Sequence, residues 1–262
     1  MTPTTLLHSL QIQRRVVEAL ILREVITRYG RYNIGFLWLF VEPMLFTLAV
    51  VFLWTVTGRH GAGHLPIVEF AVTGYSTILL WRNTSSRCAS ALTPNVGLMH
   101  HRNVRVLDIF LGRAMLEVGG ATISVCALTL IFWTADLMRA PIDFLQIFVA
   151  WGLLAWFGMA LALVVGGLSV HYQIVQKLWS PMTYLLFPLS GVAFMVEWLP
   201  PAAREIVLWV PMVHGVEMLR GGYFGPSVRV HYDAFYLITW CLVMTAIGLA
   251  LVRGAQEEAE RA

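Results

Sequence analysis

The chain has 262 residues, 58% hydrophobic and only 13% charged, with a mean hydropathy of +0.71 and a formal net charge of +3. Soluble domains carry about 25% charged residues, so this composition defines an integral membrane protein. Cys88, Cys126 and Cys241 are far apart with no CxxC pair, which leaves no disulfide framework or cysteine zinc site. The basic residues sort by membrane side, which speaks for topology and against nucleic-acid binding.

The N-terminus reads as a helix and lacks the compact apolar core and cleavage site of a signal peptide. Pro3 suits a first turn, and Leu6, Leu10, Val17, Leu20, Ile21 and Val25 recur at near-helical spacing between polar residues. Such a segment either lies flat on the membrane surface or packs on a partner. Six apolar segments follow, at 34–56, 67–81, 118–135, 144–170, 178–196 and 234–252. The second is short unless it continues past Arg82; the others approach the ~20 residues that a spanning helix needs. Thirteen Lys and Arg residues, from Arg14 to Arg31, Arg82 to Arg113, and Lys177, Arg253 and Arg261, fall on one side. Five, Arg59, Arg139, Arg204, Arg220 and Arg229, fall on the other. That asymmetry places both termini in the cytoplasm. On that side the longest loop runs from Arg87 to Asp108, with a short helix followed by Met99-His100-His101-Arg102-Asn103.

The stretch from Trp198 to Gly225 lies between the last two spans and reads as two short amphipathic helices. Pro200 and Pro201 begin the first, Pro211 breaks the run, and Gly221-Gly222 ends it. Pieces of about nine residues reach roughly 14 Å, against a hydrocarbon core of about 30 Å. Arg204, Glu205, Glu217 and Arg220 also make a seventh crossing too costly. The stretch therefore dips into the membrane from outside or lies on it.

No catalytic constellation is visible. There is no GxSxG, and the only lysine, Lys177, is followed by Leu178, so there is no P-loop. His60 and His64 stand at i,i+4, but Gly61 and Gly63 between them argue for a flexible loop, and adjacent His100 and His101 would diverge on a helix. Glu42, before Pro43 inside the first span, either lines a pathway or is a paired structural carboxylate. Arg113 and Glu117, at i,i+4, read as a local pair. Trp54, Trp81, Trp133, Trp179 and Trp198 sit at span ends, where aromatic belts belong. Trp38, Trp151, Trp156, Trp209 and Trp240 do not, and some of these are candidates for a substrate path.

Three stretches resemble a known family. Arg28-Tyr-Gly-Arg-Tyr-Asn-Ile-Gly-Phe-Leu-Trp-Leu-Phe-Val-Glu-Pro43 looks like the entry motif of ABC-2 type exporter permeases, and its Glu-Pro ending is similar to the capsular-polysaccharide (KpsM/BexB/CtrC-like) branch. The runs Val106 to Glu117 and Leu199 to His214, the latter continuing through Gly222-Tyr223-Phe224, resemble that branch's third-span entry and external re-entrant segment. The resemblance covers essentially the whole chain. It implies an all-α integral membrane protein with an N-terminal amphipathic interface helix, six transmembrane helices and an external re-entrant helical pair between spans 5 and 6. The chain then forms a single domain: 1–33 interface helix, 34–196 spans 1 to 5 with a coupling loop at 87–108, 197–233 periplasmic segment, 234–262 span 6 and cytoplasmic tail.

The same resemblance implies a homodimer in the bacterial inner membrane, bound to two copies of a separate ABC ATPase. That ATPase binds ATP and Mg, and no cofactor or metal is expected in this chain. The substrate is a lipid-linked acidic polysaccharide, handed to periplasmic and outer-membrane export proteins. Arg23, Arg28 and Arg31 of the first helix, with Leu98, Met99, His100, His101 and Arg102, are expected to receive the ATPase movement. Trp38 and Glu42 are candidates for the path, and Trp209, His214, Glu217, Arg220 and Tyr223 for an exit lid. Rival readings are a permease for O-antigen, teichoic acid or a small lipophilic substrate, a membrane-embedded glycolipid-modifying enzyme, and a structural assembly subunit.

Overall fold

The computed structural model describes residues 6–29, 33–57, 65–92, 94–95 and 104–261, except for the side chains of 6–10, 28–29, 33–36, 38–40, 43 and 258–261. Among these residues all regular structure is helical: α1 (Leu6–Tyr29), α2 (Asn33–Val56), α3 (Ile67–Ala89), α4 (Val106–Thr134), α5 (Phe144–His171), α6 (Gln173–Leu186), α7 (Pro201–Val207), α8 (Pro211–Phe224) and α9 (Ala234–Arg261). Helices α4, α5 and α9 are long and apolar enough to cross a membrane. In lipid, apolar burial brings little transfer gain, so close packing and polar satisfaction decide which helices associate.

Helix α5 is the hub. Asp143 caps its start, accepting from the Gln146 backbone N–H at 2.9 Å. Ala150, Leu154, Phe157, Leu161 and Val165, all buried at helical spacing, pack into a core with Phe70, Trp81, Leu128, Met195 and Leu237. A second cluster around Val106, Phe110, Ala162 and Val252 closes the other end of the bundle. Helix α1 lays Val17 and Leu20 on α4 and leaves Leu22 and Ile26 exposed.

Three boundaries differ from the sequence expectation, and one that it left open is extended. Helix α3 continues past Arg82 to Ala89, where Arg82, Asn83 and Ser86 face a polar cleft. Helix α4 starts at Val106, well before residue 118. Its free N-terminal donors are met there: the Arg105 N–H by the Asp108 carboxylate at 3.1 Å, and the Val106 N–H by Gln256 Oε1 at 2.8 Å.

The segment expected to span 178–196 is helical only to Leu186. With Pro181 inside it, α6 has 14 residues, roughly 21 Å. Residues 187–195 run on in turns past Gly191, at φ 78°.

The broken stretch does form two helices with Pro201 and Pro211 in their first turns. However, Gly221-Gly222 does not end the second. A Cβ on Gly222 would lie 3.0 Å from the Asp143 carbonyl oxygen, so the glycine permits close approach to the start of α5. Helix α8 ends at Gly225, whose φ of 57° suits glycine. Nor is α8 amphipathic: Met212 to Phe224 are all buried.

Candidate functional site

Helices α2, α3 and α6 enclose a polar cleft of about 780 Å³. Helix α3 supplies Arg82, Asn83, Ser86, Arg87 and Ser90, a spacing of one helical face; α2 supplies Glu42 and Phe46; α6 supplies Gln176, Trp179, Ser180 and Tyr184. Ionisable residues on helices of this kind face protein or water-filled space. Arg87 lies between two carboxylates, 3.7 Å from Glu42 and 3.7 Å from Glu117. Glu42 is half-exposed into the cleft while Glu117 is buried behind it. The Arg82 guanidinium stacks over the Tyr184 ring at 4.3 Å, and Trp179 donates to Ser85 at 3.2 Å. Cations, a carboxylate, amides, hydroxyls and aromatic faces therefore share one wall. Such a wall can hold a hydroxyl- and carboxylate-bearing chain through many weak, exchangeable contacts.

Of the path candidates, Glu42 is in this cleft; the Trp38 side chain lies outside the described residues. Sequence reasoning missed Arg82, Asn83 and Arg87 by ending the second segment early, although positions 82, 83, 86, 87 and 90 already mark one helix face. Trp179, expected in an aromatic belt, lines the cleft instead.

The lid candidates occupy a different environment. Arg220 is fully buried. It donates to the carbonyls of Gly191 at 2.6 Å, Phe194 at 2.7 Å and Val192 at 2.6 Å, with its guanidinium 3.9 Å above the Phe70 ring. Glu217, also buried, accepts from the backbone N–H groups of Val196 at 3.1 Å and His231 at 3.0 Å. Together these two side chains satisfy the irregular backbone that follows α6, which non-helical chain inside a membrane protein requires. His214 accepts from the Asp233 N–H at Nδ1, so its Nε2–H donates to Leu208 O at 2.8 Å. Tyr223 donates to the Arg139 carbonyl at 2.7 Å. Of the five, only Trp209 is exposed, at 76%.

Beside these, Glu197 accepts from His231 at 2.6 Å and meets Arg204 at 3.2 Å. The His231 hydrogen bond holds the Glu197 carboxyl below its ordinary range.

At the opposite end of α4, α1 is docked by polar pairs. Glu24 meets Arg113 at 3.1 Å, Gln13 donates to Asp108 at 3.0 Å, and Arg23 donates to Asn95. Arg113 also donates to the Arg87 carbonyl at 2.9 Å, linking this contact to the cleft. Arg113 and Glu117, expected as a local pair, thus each have a partner on another helix, Glu24 and Arg87. Leu98, Met99, His100, His101, Arg102 and Arg31 lie outside the described residues, as does the Arg28 side chain. No group of His, Cys, Asp or Glu among the described residues has the arrangement of a metal site.

Residues 15–224 of this helical bundle match the ABC-2 type transporter family model. The chain belongs to that family. It is 45% identical over 253 residues to the capsule polysaccharide export inner-membrane protein CtrC of Neisseria meningitidis serogroup A, covering 95% of this chain and 94% of the relative. It is 40% identical over 257 residues to BexB of Haemophilus influenzae, another capsule polysaccharide export inner-membrane protein, covering 98% and 97%. The polysialic acid transport protein KpsM of Escherichia coli is 29% identical over 251 residues, covering 94% and 96%.

Proposed function

We propose that this chain is the permease subunit of an ATP-driven exporter that moves lipid-linked capsular polysaccharide across the bacterial inner membrane. The observation that carries the reading is the polar cleft of α2, α3 and α6, in a chain with near full-length similarity to capsule exporters. Helices α2 to α5, α6 with its turn extension, and α9 are the six spans, with both termini cytoplasmic. Helices α7 and α8 form an external re-entrant pair. In α6 only Thr183 is buried, and the cleft opens beside it. A second copy of the chain covers this face and closes the channel, as a two-fold dimer does.

A separate ATPase, present twice, binds ATP and Mg. It docks against α1, and Arg23, Arg28 and Arg31 together with residues 98–102 receive its movement. Arg82, Arg87 and Glu42 guide the polymer. Glu217, Arg220, His214 and Tyr223 hold the lid in shape, and Trp209 is the lid residue left to contact the emerging chain. Periplasmic and outer-membrane export proteins receive it. Deleting the gene in its host tests the proposal: surface capsule is lost and polymer accumulates inside. An intact capsule would refute it.

A further inference from the structure

A second cavity, of about 580 Å³, lies toward the N-terminal end of α3, between α3, α4, α5 and the loop at 135–143. Its chemistry is the reverse of the cleft's. Along α4 it is walled by Val125, Cys126, Thr129, Leu130 and Trp133, and from α5 by Phe144 and Phe148. Leu130, Trp133, Phe144 and Phe148 are exposed, so the groove is open to whatever surrounds the helices. Four of the polar groups along it are turned to internal partners. Thr73 donates to the Glu69 carbonyl, Thr122 to the Val118 carbonyl, the Trp151 ring N–H to Thr122, and Tyr223 to the Arg139 carbonyl. A sugar chain would find few free partners there.

The groove runs along α4 from Thr122 to Trp133, about 17 Å at ~1.5 Å per residue. One leaflet of hydrocarbon is about 15 Å deep, half of the ~30 Å core. At its mouth stands Arg139. Both backbone ends of this residue are fixed from inside: its N–H donates to the buried Glu69 carboxylate at 2.8 Å, and its carbonyl accepts from Tyr223. Its side chain is left exposed at the rim.

We propose that this groove binds one acyl chain of an anionic membrane phospholipid, with the lipid phosphate held by the Arg139 guanidinium. An apolar slot as deep as a leaflet, with one cation carried at its rim on a backbone held from inside, matches that amphiphile. A second copy of the chain matches it less well, because a two-fold contact would bring two Arg139 rims together. The inference uses the proposed topology only to assign the outer leaflet, and its test reads lipid contact rather than export.

The experiment uses the full-length protein in nanodiscs containing a phosphatidylglycerol with a photoreactive diazirine on its acyl chain, compared with the matching phosphatidylcholine. Labelling should fall on peptides covering 122–133 and 144–151. Phosphatidylglycerol should label about five-fold more, the worth of one basic residue at a membrane surface. Arg139→Gln should erase that preference, Cys126→Trp should remove the labelling by filling the slot, and unlabelled phosphatidylglycerol should compete in the unaltered protein. Equal labelling by the two lipids would overturn the proposal. So would labelling spread evenly over α6 and α9, or a Cys126–Cys126 cross-link between copies.

Discussion

Arg220 is the most demanding single side chain in the fold. A guanidinium removed from water must be met on several sides, and three carbonyls and an aromatic ring do so here. Arg220→Ala should leave those carbonyls unmet at about 1–3 kcal/mol each. Arg220→Lys should rescue only part, since an ammonium lacks the planar fork. Thermal unfolding of the purified protein in detergent would measure both, and an unchanged midpoint for Arg220→Ala would contradict the assignment.

Glu197 gives a pH-dependent counterpart. Its folded pKa is lowered, first by the hydrogen bond from His231, so its contribution is complete above the unfolded value. That contribution is lost as pH falls through the lowered one. The melting temperature should therefore lose an increment below about pH 4.3, the ordinary carboxylate value. Glu197→Gln should be lower at neutral pH and lack that increment. Parallel pH profiles for the two proteins would sink the idea. From the sequence, the charges at 217 and 220 were legible as too costly for lipid. Their partners, the backbone at 191–196, were not, because nothing local in α8 marks a turn segment more than twenty residues earlier in the chain.

Helix positions followed from apolar runs, and helix ends from chemistry that a run does not display. Prolines announced the starts of α7 and α8 because Pro fits a first turn. The end of α3 was left open past Arg82, which lies on one helix face with Asn83, Ser86 and Arg87. The early start of α4 is held locally by Asp108 and also by Gln256, 150 residues away; the second contact is the one no local pattern reveals. At this scale the docking of α1 on α4 is the testable feature. The Glu24–Arg113 pair is about 90% shielded on both sides, so Glu24→Gln should cost about 2 kcal/mol. It should release α1 to limited proteolysis while α4, α5 and α9 stay protected. Equal cleavage of the two proteins would show that the pair does not hold the helix.

For the molecule as a whole, two surfaces of opposite chemistry stand side by side. The apolar groove of α3, α4 and α5 suits lipid, and the polar cleft of α2, α3 and α6 suits a hydrated polymer. Composition and the Lys/Arg asymmetry made the membrane class legible, and motif order made the family so. The cleft was not, since its walls come from three helices and only Glu42 was singled out in advance.

Filling the polar cleft tests its role as the polymer path. Asn83→Trp and Ser86→Trp, which fill the cleft without touching an ion pair, would be expressed in cells lacking the native permease, and surface polysaccharide would be quantified against permease and ATPase levels in the membrane. Surface polymer should be lost and intracellular polymer should accumulate, with the permease present and its ATPase still attached. Normal surface polymer from both variants at normal protein levels would contradict that role.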